Sequence, residues 1–430
     1  MTPPTRPLFV GIDAGTSGVR AIAIDEAGRI AAQGSAPLPP SRRSGPAIEQ
    51  DPADWWRALT TSIGQMIERA GRAEIAACAV DGTSGTILFA DRTGTPLGPA
   101  LLYNDARAVA QAERIAAVAP SASGAHGPTS ALAKLLHLQP GRPASARHLL
   151  HQADWLAGRL TGRFGVSDEN NVLKLGYDGI ARRWPGWFDA LGVERALLPE
   201  VVPPGTPIGR LGRSAARELG LPEGIPVVAG TTDGVAAFLA TGAHEPGDGV
   251  TSLGSTLVIK LLTDRPIFSP ADGIYSHRLG ELWLPGGAAN TGGAALLRYF
   301  DRERMIELSR HLDPAHPTGL DYWPLPGRGE RFPINAPDME SAVDPRPRDD
   351  AQFLQGLLEG IANVERRAYT RLAELGAPSV RTVRTVGSGA DNAAWSEIRA
   401  GRLKVPMPPP ISLEAAYGTA LLARRGVLGR

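Results

Sequence analysis

One strand-turn-strand pattern occurs twice in this chain of 430 residues. The first copy, at residues 10–25, reads VGIDAGTSGVRAIAID, and the second, at residues 248–262, reads DGVTSLGSTLVIKLL. In both copies, apolar and β-branched runs typical of strands flank a short turn made of Gly, Ser and Thr. Because each copy is followed by its own α/β segment, the repeat predicts two related halves that face each other.

Further strand and helix patterns surround the two copies. A chain of this length exceeds one hydrophobic core, so two or three domains are expected. The predicted elements, in chain order, are strands at 8–13, 19–25 and about 30–38, a helix from Asp51 to about 71, helices within 105–160, a second α/β stretch from Ile225, and helices at 352–376 and 414–426.

Composition favours a small-molecule partner. The formal net charge is +1 and no block of like charge occurs, which argues against nucleic acid or a membrane surface as partner. Cys78 is the only cysteine, so a disulfide framework is excluded, and its apolar neighbours predict a buried thiol. Neither a signal peptide nor a run of 18 apolar residues is found, so a cytoplasmic protein is expected.

Lysine is rare among the 45 basic residues, occurring only at 134, 174, 260 and 404. Genome composition accounts for such a preference for arginine. The four lysines that remain are weak indications that an ammonium suits those positions better than a guanidinium. No role is assigned to Lys134 or Lys174. His277 lies in a strand-like segment and is interpreted as a structural histidine.

The first Gly/Ser/Thr turn has the composition of a phosphate site. Its backbone N–H groups and hydroxyls can converge on one spot as a nest for phosphate oxygens, although an ordinary hairpin turn remains an alternative. Asp13 ends the strand beside this turn. A carboxylate next to phosphates needs an intervening cation, so Mg²⁺ held through water is predicted there. The alternative is an Asx-turn aspartate that accepts from its own backbone.

A second carboxylate lies in the segment AGTTDGVAAFLA, where Asp233 follows a strand and opens an apolar helix. The N–H groups of a first helical turn favour an ionised carboxylate, so Asp233 can act as a proton acceptor. A simple helix cap is the alternative. A third Gly-rich turn, GSGADN at 387–392, precedes Trp395 and would let backbone pass close to a flat ring, although such a motif is weak by itself.

Taken together and in this order, the motifs VGIDAGTSGVRAIAID, AGTTDGVAAFLATGA, GVTSLGSTLVIK, GSGADNAAW and EAAYGTALLA resemble those of the FGGY carbohydrate kinases, members of the actin-like ATPase superfamily. The resemblance implies an α/β fold of two actin-like, ribonuclease H-like domains, each a mixed β-sheet flanked by helices, with an ATP and sugar cleft between them. The implied domains are 1–242, for sugar and phosphate, and 243–430, for nucleotide, and the last helix, about 414–426, is expected to pack on the first domain.

The resemblance also assigns roles to residues of this sequence. It makes Asp233 the general base and Asp13 the acid near Mg²⁺ and the sugar, with Ser17 and Ser84 as further sugar contacts. ATP and Mg²⁺ are the implied cofactors. The residues implied to bind ATP are Thr16, Ser17, Gly18, Gly254 and Ser255 at the phosphates, and Gly387, Ser388, Gly389, Asn392 and Trp395 around the adenosine.

The stretch VDGTSGT at 80–86 bears on the substrate. It has neither the Asn-Gln-Arg-Glu of glycerol kinases nor the Ser-Gly-Gln-Met-His of xylulokinases. With segments such as QADWLAGRLTG and NNVLKLGYD, it looks like the compact plant and cyanobacterial sugar kinases described as D-ribulose kinases. The expected reaction is therefore phosphorylation of D-ribulose at its terminal O5. Ser84 is a candidate sugar contact, with a plain turn serine as the alternative.

Other interpretations stay open. Within the class, the substrate can be D-xylulose or another polyol. From a different class, the chain can be a non-catalytic sugar sensor that binds ATP, although a sensor has no need of a base at Asp233. A chaperone-like ATPase ranks last, because no peptide-binding module follows the nucleotide half. The loop with Tyr103, Asn104, Asp105 and Arg107 is predicted to be a surface loop with an Asp/Arg pair, and the rim of the cleft is the alternative. No His/Cys cluster indicates zinc, and oligomeric state is not indicated.

Overall fold

The structure is a computed structural model that describes residues 7–71 and 74–429. The chain forms two compact units. The N-terminal unit contains the chain up to Ala240, His277–Gly280 and the chain from Glu414 onward; the C-terminal unit contains Thr241–Ser276 and Glu281–Leu413. Within the described ranges, no helix has the length and apolar character that crossing a membrane requires.

The strands and helices are numbered in chain order. The strands are β1 (Pro7–Ala14), β2 (Gly18–Ile24), β3 (Ile30–Pro37), β4 (Arg42–Ser44), β5 (Ala47–Gln50), β6 (Glu74–Gly82), β7 (Ile87–Ala90), β8 (Ala100–Leu101), β9 (His148–His151), β10 (Val166–Asp168), β11 (Glu200–Val202), β12 (Pro207–Arg210), β13 (Pro226–Thr232), β14 (Asp248–Leu253), β15 (Leu257–Leu261), β16 (Tyr275–Leu279), β17 (Leu282–Ala289) and β18 (Thr382–Val386). The helices are α1 (Pro52–Ala70), α2 (Val109–Ala116), α3 (Ala131–Leu138), α4 (Gln152–Thr161), α5 (Phe188–Leu191), α6 (Arg213–Leu219), α7 (Asp233–Ala240), α8 (Gly293–Leu296), α9 (Arg302–Ser309), α10 (Asp350–Glu374), α11 (Ala393–Leu403) and α12 (Ala415–Leu428).

A six-stranded mixed sheet organises the N-terminal unit, in the order β12-β13-β6-β1-β2-β3. β1, β2 and β3 form an antiparallel meander, whereas β6 pairs in parallel with both β1 and β13. β1 lies in the middle of this sheet, and all its residues after Pro7 are buried, which explains its continuous apolar run. The carboxyl ends of β1, β6 and β13 therefore meet at one edge of the sheet, where open α/β sheets bind ligands.

Helix α12 packs on β1 and α7 at very short backbone distances. A β-carbon added at Gly11 would lie 2.0 Å from the carbonyl oxygen of Ala416, and one at Gly418 would lie 2.0 Å from that of Ala236. Real side chains never approach backbone so closely, so this packing requires glycine on both surfaces. These contacts hold the C-terminal segment of the chain against the central strand of the N-terminal unit.

A second, mixed sheet of five strands has the order β16-β17-β15-β14-β18, and its strands β14, β15, β17 and β18 lie in the C-terminal unit. β14 and β15 form the second antiparallel strand-turn-strand copy, and β14 pairs in parallel with β18. The long helix α10 covers this sheet, and its Glu365 forms a fully buried two-bond ion pair with Arg399 of α11, at 2.6 and 2.7 Å. Thr251 of β14 also donates to Glu365, at 2.6 Å, which ties the strand to the helix.

Most predicted elements are present. Asp51 caps α1 by accepting from the N–H of Ala53 at 2.9 Å, as predicted, and the α1 and α10 patterns correspond to observed helices. Cys78 is buried, and burial raises the pKa of its thiol to about 12. Inside the stretch predicted as helical, however, β9 pairs with β7. Its sequence HLLH is too short and apolar for periodicity to separate a strand from a helix.

Candidate active site

A cavity of about 550 Å³ lies in the N-terminal unit, at the edge of the sheet where β1, β6 and β13 end. It contains most of the residues predicted to bind sugar and phosphate, together with others that were not predicted. The lining residues are Asp13, Gly15, Thr16, Ser17, Arg20, Thr83, Ser84, Tyr103, Lys174, Asp233, Gly234, Ala237 and Ala415.

The turn between β1 and β2 forms one wall. The N–H of Gly15 donates to the carbonyl of Gly18 at 3.0 Å, which closes the turn and leaves Thr16 and Ser17 on the cavity side. Gly18 does not line the cavity. A β-carbon there would lie 2.9 Å from the carbonyl oxygen of Ala36, so glycine at this position lets β3 approach. Of the three residues of this turn that were predicted to bind phosphate, Thr16 and Ser17 face the cavity, whereas Gly18 shapes the turn.

Asp13 is buried, with 6% of its surface exposed, and it lies opposite Asp81 in the β1–β6 register. Burial raises the pKa of Asp13 to about 6; the charge of Asp233 adds to the increase, while a hydrogen bond with Asp81 and the charge of Arg20 oppose it. The Arg20 Nη1 lies 3.6 Å from Asp13 Oδ2. Among the described residues, no backbone N–H donates to the Asp13 carboxylate, so the Asx-turn alternative has no support in this structure.

Asp81 was missed in the sequence, although it ends a strand in the same way as Asp13. It is fully buried, and Thr419 of α12 donates a hydrogen bond to its Oδ2. Burial and the charge of Asp13 raise the pKa of Asp81 well above its usual value. The Oδ1 of Asp81 has no hydrogen-bond partner among the described residues.

Asp233 begins α7 directly after β13, and it is half-buried. Its Oδ1 accepts from the N–H of Gly234 at 2.6 Å. The strand before it packs tightly on β6, because a β-carbon at Gly230 would lie 1.9 Å from the carbonyl oxygen of Val80. The structure thus brings the carboxyl groups of Asp13 and Asp233 to one cavity.

The turn between β6 and β7 forms the opposite wall. Gln152 Oε1 accepts from the N–H of Thr83 at 3.0 Å and from its hydroxyl at 2.8 Å, which holds the turn on the start of α4. Ser84 Oγ lines the cavity, is buried, and has no hydrogen-bond partner among the described residues. A buried hydroxyl without a partner is costly, which agrees with the prediction that Ser84 contacts the sugar but does not test it.

The loop at 103–107 was predicted to lie at the surface, and this is correct only in part. Tyr103 is exposed and lines the cavity, but Asp105 is fully buried. Asp105 accepts from the N–H of Ile48 at 2.7 Å and pairs with Arg107, also at 2.7 Å. A buried carboxylate needs such partners, and these contacts of Asp105 hold the loop in place.

A second cavity, of about 540 Å³, lies in the C-terminal unit around the second Gly/Ser/Thr turn and the third Gly-rich turn. Six of the residues that were predicted to bind ATP line it: Gly254, Ser255, Ser388, Gly389, Asn392 and Trp395. Gly387 does not; its φ of +88° and the 2.7 Å between an added β-carbon and the Leu253 carbonyl oxygen show that it shapes the turn.

The walls of this second cavity are mainly apolar, as a flat ring requires. Asn392 caps α11 by accepting from the N–H of Trp395 at 3.0 Å, and its side chain donates to Ser309 at 2.8 Å. A β-carbon at Gly389 would lie 2.7 Å from the Trp395 ring, so backbone passes close to the indole here. The apolar lining residues are Leu253, Leu296, Leu297, Met305, Ile306, Leu354 and Leu358.

No group of three or more His, Cys, Asp or Glu side chains in residues 7–71 and 74–429 is arranged to hold a metal ion directly. The Asp13 carboxylate, which lines the cavity, still fits a hard cation that takes oxygen ligands. Such an ion would be held mainly by phosphate oxygens and water. His277 is buried in β16 and lines neither of the two cavities.

The chain has two mixed sheets, and each carries a strand-turn-strand motif with a cavity beside it. This arrangement is typical of two-domain α/β sugar kinases. Comparison with protein families identifies which one. The FGGY family of carbohydrate kinases matches this chain with its N-terminal domain over residues 8–240 and with its C-terminal domain over residues 249–427. The chain belongs to the FGGY family of carbohydrate kinases, and it is an ATP-dependent sugar kinase.

Individual relatives agree. A xylulose kinase of Streptomyces coelicolor is 30% identical over 417 residues, which cover 91% of this chain and 82% of the relative. A xylulose kinase of Streptomyces rubiginosus is 29% identical over 415 residues, covering 91% of this chain and 82% of the relative. A crystal structure from Brucella ovis, titled a xyloylose kinase, has a TM-score of 0.89 at 26% identity and covers 98% of this chain and 91% of the other. The predicted fold class is confirmed, and the relatives are xylulose-kinase-like. Membership of the compact D-ribulose kinases stays a prediction.

Proposed function

We propose that this kinase transfers the γ-phosphate of ATP to the terminal O5 of D-ribulose. The single observation that carries the proposal is the N-terminal cavity, which both Ser84, with its unpartnered hydroxyl, and Asp233 line. A hydroxyl that must find its hydrogen bond in a ligand, together with a nearby base, is what a polyhydroxylated acceptor requires. The preference for D-ribulose rests on the resemblance of VDGTSGT and its companion segments.

In this mechanism, Asp233 accepts the proton of the attacking hydroxyl, directly or through one water, from roughly 2.6–3.2 Å. The hydrogen bond from the N–H of Gly234 favours the ionised carboxylate and fixes its orientation. The sugar hydroxyls are held by Ser17 and Ser84, and the turn with Thr16 and Ser17 offers donors to phosphate oxygens. The protein thus acts mainly by positioning reactants and by neutralising charge, as in other phosphoryl transfers.

The nucleotide is assigned to the C-terminal cavity. Ser255 and the backbone at Gly254 would contact phosphate, and the apolar wall beside Trp395 would take the adenine. Mg²⁺, when bound, would supply positive charge that offsets the charge of the transferring phosphoryl group. Of this chain's residues, Asp13 would hold that ion through water, and Asp81 lies opposite Asp13 in the β1–β6 register.

D-xylulose is the second candidate, because the two Streptomyces relatives are named xylulose kinases. The two sugars differ only in the configuration at C3. A pocket that hydrogen-bonds each hydroxyl leaves a buried group unpaired when the epimer binds, which costs roughly 1–3 kcal/mol. The two candidates therefore separate by their catalytic efficiencies.

A coupled ATP assay with D-ribulose, L-ribulose, D-xylulose, glycerol and no sugar tests the proposal. We expect kcat/KM for D-ribulose to exceed that for D-xylulose by at least about tenfold. Equal efficiencies, or a preference for D-xylulose, would reject the D-ribulose assignment. Sugar binding without any turnover would instead identify a sensor.

The variant Asp233→Asn tests the base. The amide keeps the size of the side chain but cannot accept the proton, so turnover should fall by about 10²–10⁴-fold. ATP affinity should stay near that of the parent, because Asp233 does not line the nucleotide cavity. Turnover within about threefold of the parent would rule out general-base catalysis by Asp233.

A further inference from the structure

Two of the rare lysines lie side by side next to the sugar cavity. Lys134 of α3 is fully buried, and its Nζ donates to the carbonyl oxygens of Gly85 at 2.6 Å and of Leu102 at 2.7 Å. These carbonyls belong to the two loops that carry Ser84 and Tyr103 into the cavity. Lys134 therefore holds both loops on helix α3, and its ammonium already has two acceptors within the protein.

Lys174 differs from Lys134 in its contacts. It lies on a short 3₁₀ turn, Asn171–Leu175, is half-buried and lines the cavity. A β-carbon added at Gly85 would lie 3.4 Å from Lys174 Cδ, so its stem passes directly over this glycine. Across residues 7–71 and 74–429, its ammonium makes no hydrogen bond or ion pair.

The other cation on the cavity wall is already neutralised. Arg20 lies 3.6 Å from Asp13 and 3.3 Å from Glu414. Lys174 is thus the lining cation whose donors find no acceptor in the described protein, and it lies beside the equally unpartnered Ser84 hydroxyl. Donors that the protein leaves unused in a binding cavity are matched by acceptor oxygens on the ligand.

The charges around the cavity give it two different ends. Asp13 and Asp233 line the cavity and Asp81 lies opposite Asp13 in the strand register, so these acids mark the end where the proton is removed. Arg20 lies between Asp13 and Glu414 at this end. Lys174 lies on the side of the loops instead, where its charge and those of Asp105 and Arg107 affect the pKa of Lys134. An acyclic ketopentose with its terminal hydroxyl at the acidic end would present its opposite, carbonyl-bearing end to Lys174.

We infer that Lys174 is a specificity-determining residue that donates a hydrogen bond to the C2 carbonyl oxygen of the ketose, an inference that rests on the proposed sugar kinase function. A lysine ammonium only donates, and a ketone oxygen only accepts, so the two match fully. When the carbonyl is reduced to a hydroxyl, an additional proton enters the site and must find its own acceptor. The enzyme should therefore prefer the ketose to the alditols of the same carbon chain.

The experiment compares the ketopentose that the parent enzyme uses best with its two C2-reduced alditols. In Lys174→Met, kcat/KM for the ketose should fall by at least about tenfold, mainly through a higher KM, because a charge-assisted hydrogen bond is lost. The alditol values should change much less, so the ketose-to-alditol ratio falls. The KM for ATP should be unchanged. Lys404→Met, at an exposed position of the C-terminal unit, is the matched control and should behave like the parent.

Lys174→Gln keeps a donor without the charge and decides the question if the methionine variant does not fold. Its ketose kcat/KM should lie between those of parent and Lys174→Met. If the parent phosphorylates a ketopentose and the folded Lys174 variants retain its efficiency and its ketose-to-alditol ratio, this inference alone is overturned. If the parent phosphorylates no ketopentose, the proposed function fails as well.

Discussion

At the scale of single residues, the carboxyl groups at the ends of β1, β6 and β13 differ because of their surroundings. Asp81 is fully buried, and burial and the charge of Asp13 raise its pKa well above the usual value. Arg20 lies 3.6 Å from Asp13 and opposes the increase that burial causes in the pKa of Asp13. Two neighbouring carboxylates cannot both carry a charge at low cost. Asp13, which lines the cavity beside Arg20, is therefore the group available to a cation.

Asp13→Ala should lower activity sharply and raise the Mg²⁺ concentration needed for half-maximal rate, because the ionised carboxylate beside the phosphate turn is removed. The measurement is initial rate against Mg²⁺ at saturating sugar. Asp13→Asn serves as control for size, and it should show the same direction of change. Full activity with an unchanged Mg²⁺ requirement would reduce Asp13 to a structural residue.

A further buried carboxyl group, that of Asp168, makes the stability of the fold depend on pH. Burial raises the pKa of Asp168 to about 7, and the charge of Asp154 adds to it, against hydrogen bonds from Asn170 and Asn171. A carboxyl whose folded pKa is raised contributes stability that is fully present below the unfolded pKa of about 3.8 and is lost as the pH rises through about 7.

Asp168→Asn should therefore flatten the dependence of the unfolding free energy between about pH 4 and pH 7, by a few kcal/mol across the interval. Urea unfolding at several pH values measures it. The parent should lose stability relative to Asp168→Asn as the pH rises. A difference between the two proteins that does not vary with pH would show that Asp168 ionises at an ordinary pKa.

At the scale of elements, α12 is held against the N-terminal sheet by glycine rather than by side-chain fit. Gly11 and Gly418 let backbone approach backbone, and Thr419 between those contacts donates to Asp81. The same helix therefore fixes the strand that carries Asp13 and the carboxyl group that orients it. Its sequence, EAAYGTALLA with its neighbours, is rich in small residues for this reason.

Gly418→Ala tests this packing. The added methyl would meet the Ala236 carbonyl at 2.0 Å, and overpacking of this kind costs typically 1–3 kcal/mol. Gly64→Ala in α1 is the matched control, because a β-carbon there meets nothing within 4 Å. That change should stabilise the helix by roughly 0.5–1 kcal/mol. Equal unfolding free energies for the two variants, measured in urea, would contradict the packing described here.

At the scale of the whole molecule, the proposed function gives the two units different ligands, although their sheets are related. Each contains a strand-turn-strand motif with its own cavity, one lined by acids and hydroxyls and the other mainly by apolar side chains. This difference in lining, more than any difference in fold, supports the proposed assignment of sugar to one unit and nucleotide to the other.

Hydrogen exchange can test this division of tasks. A non-hydrolysable ATP analogue should slow exchange at 253–255 and 388–395, and the sugar alone should slow it at 13–18 and 82–86, because bound ligands stabilise the segments that they contact. The masses of peptides covering these four segments, with each ligand separately, give the answer. Protection by the sugar confined to the nucleotide segments would contradict the assignment.

The sequence alone was sufficient for the family, the two related halves, and the positions of Asp13, Asp233 and the Gly-rich turns. These features are short and local, because a strand end, a turn and a helix start follow one another along the chain. The tertiary structure alone decided that Asp81 contacts Asp13, that Asp105 is buried, and that Lys134 and Lys174 flank the sugar loops. Those contacts depend on strand order, register and helix packing between segments far apart in sequence, which no local pattern of residues encodes.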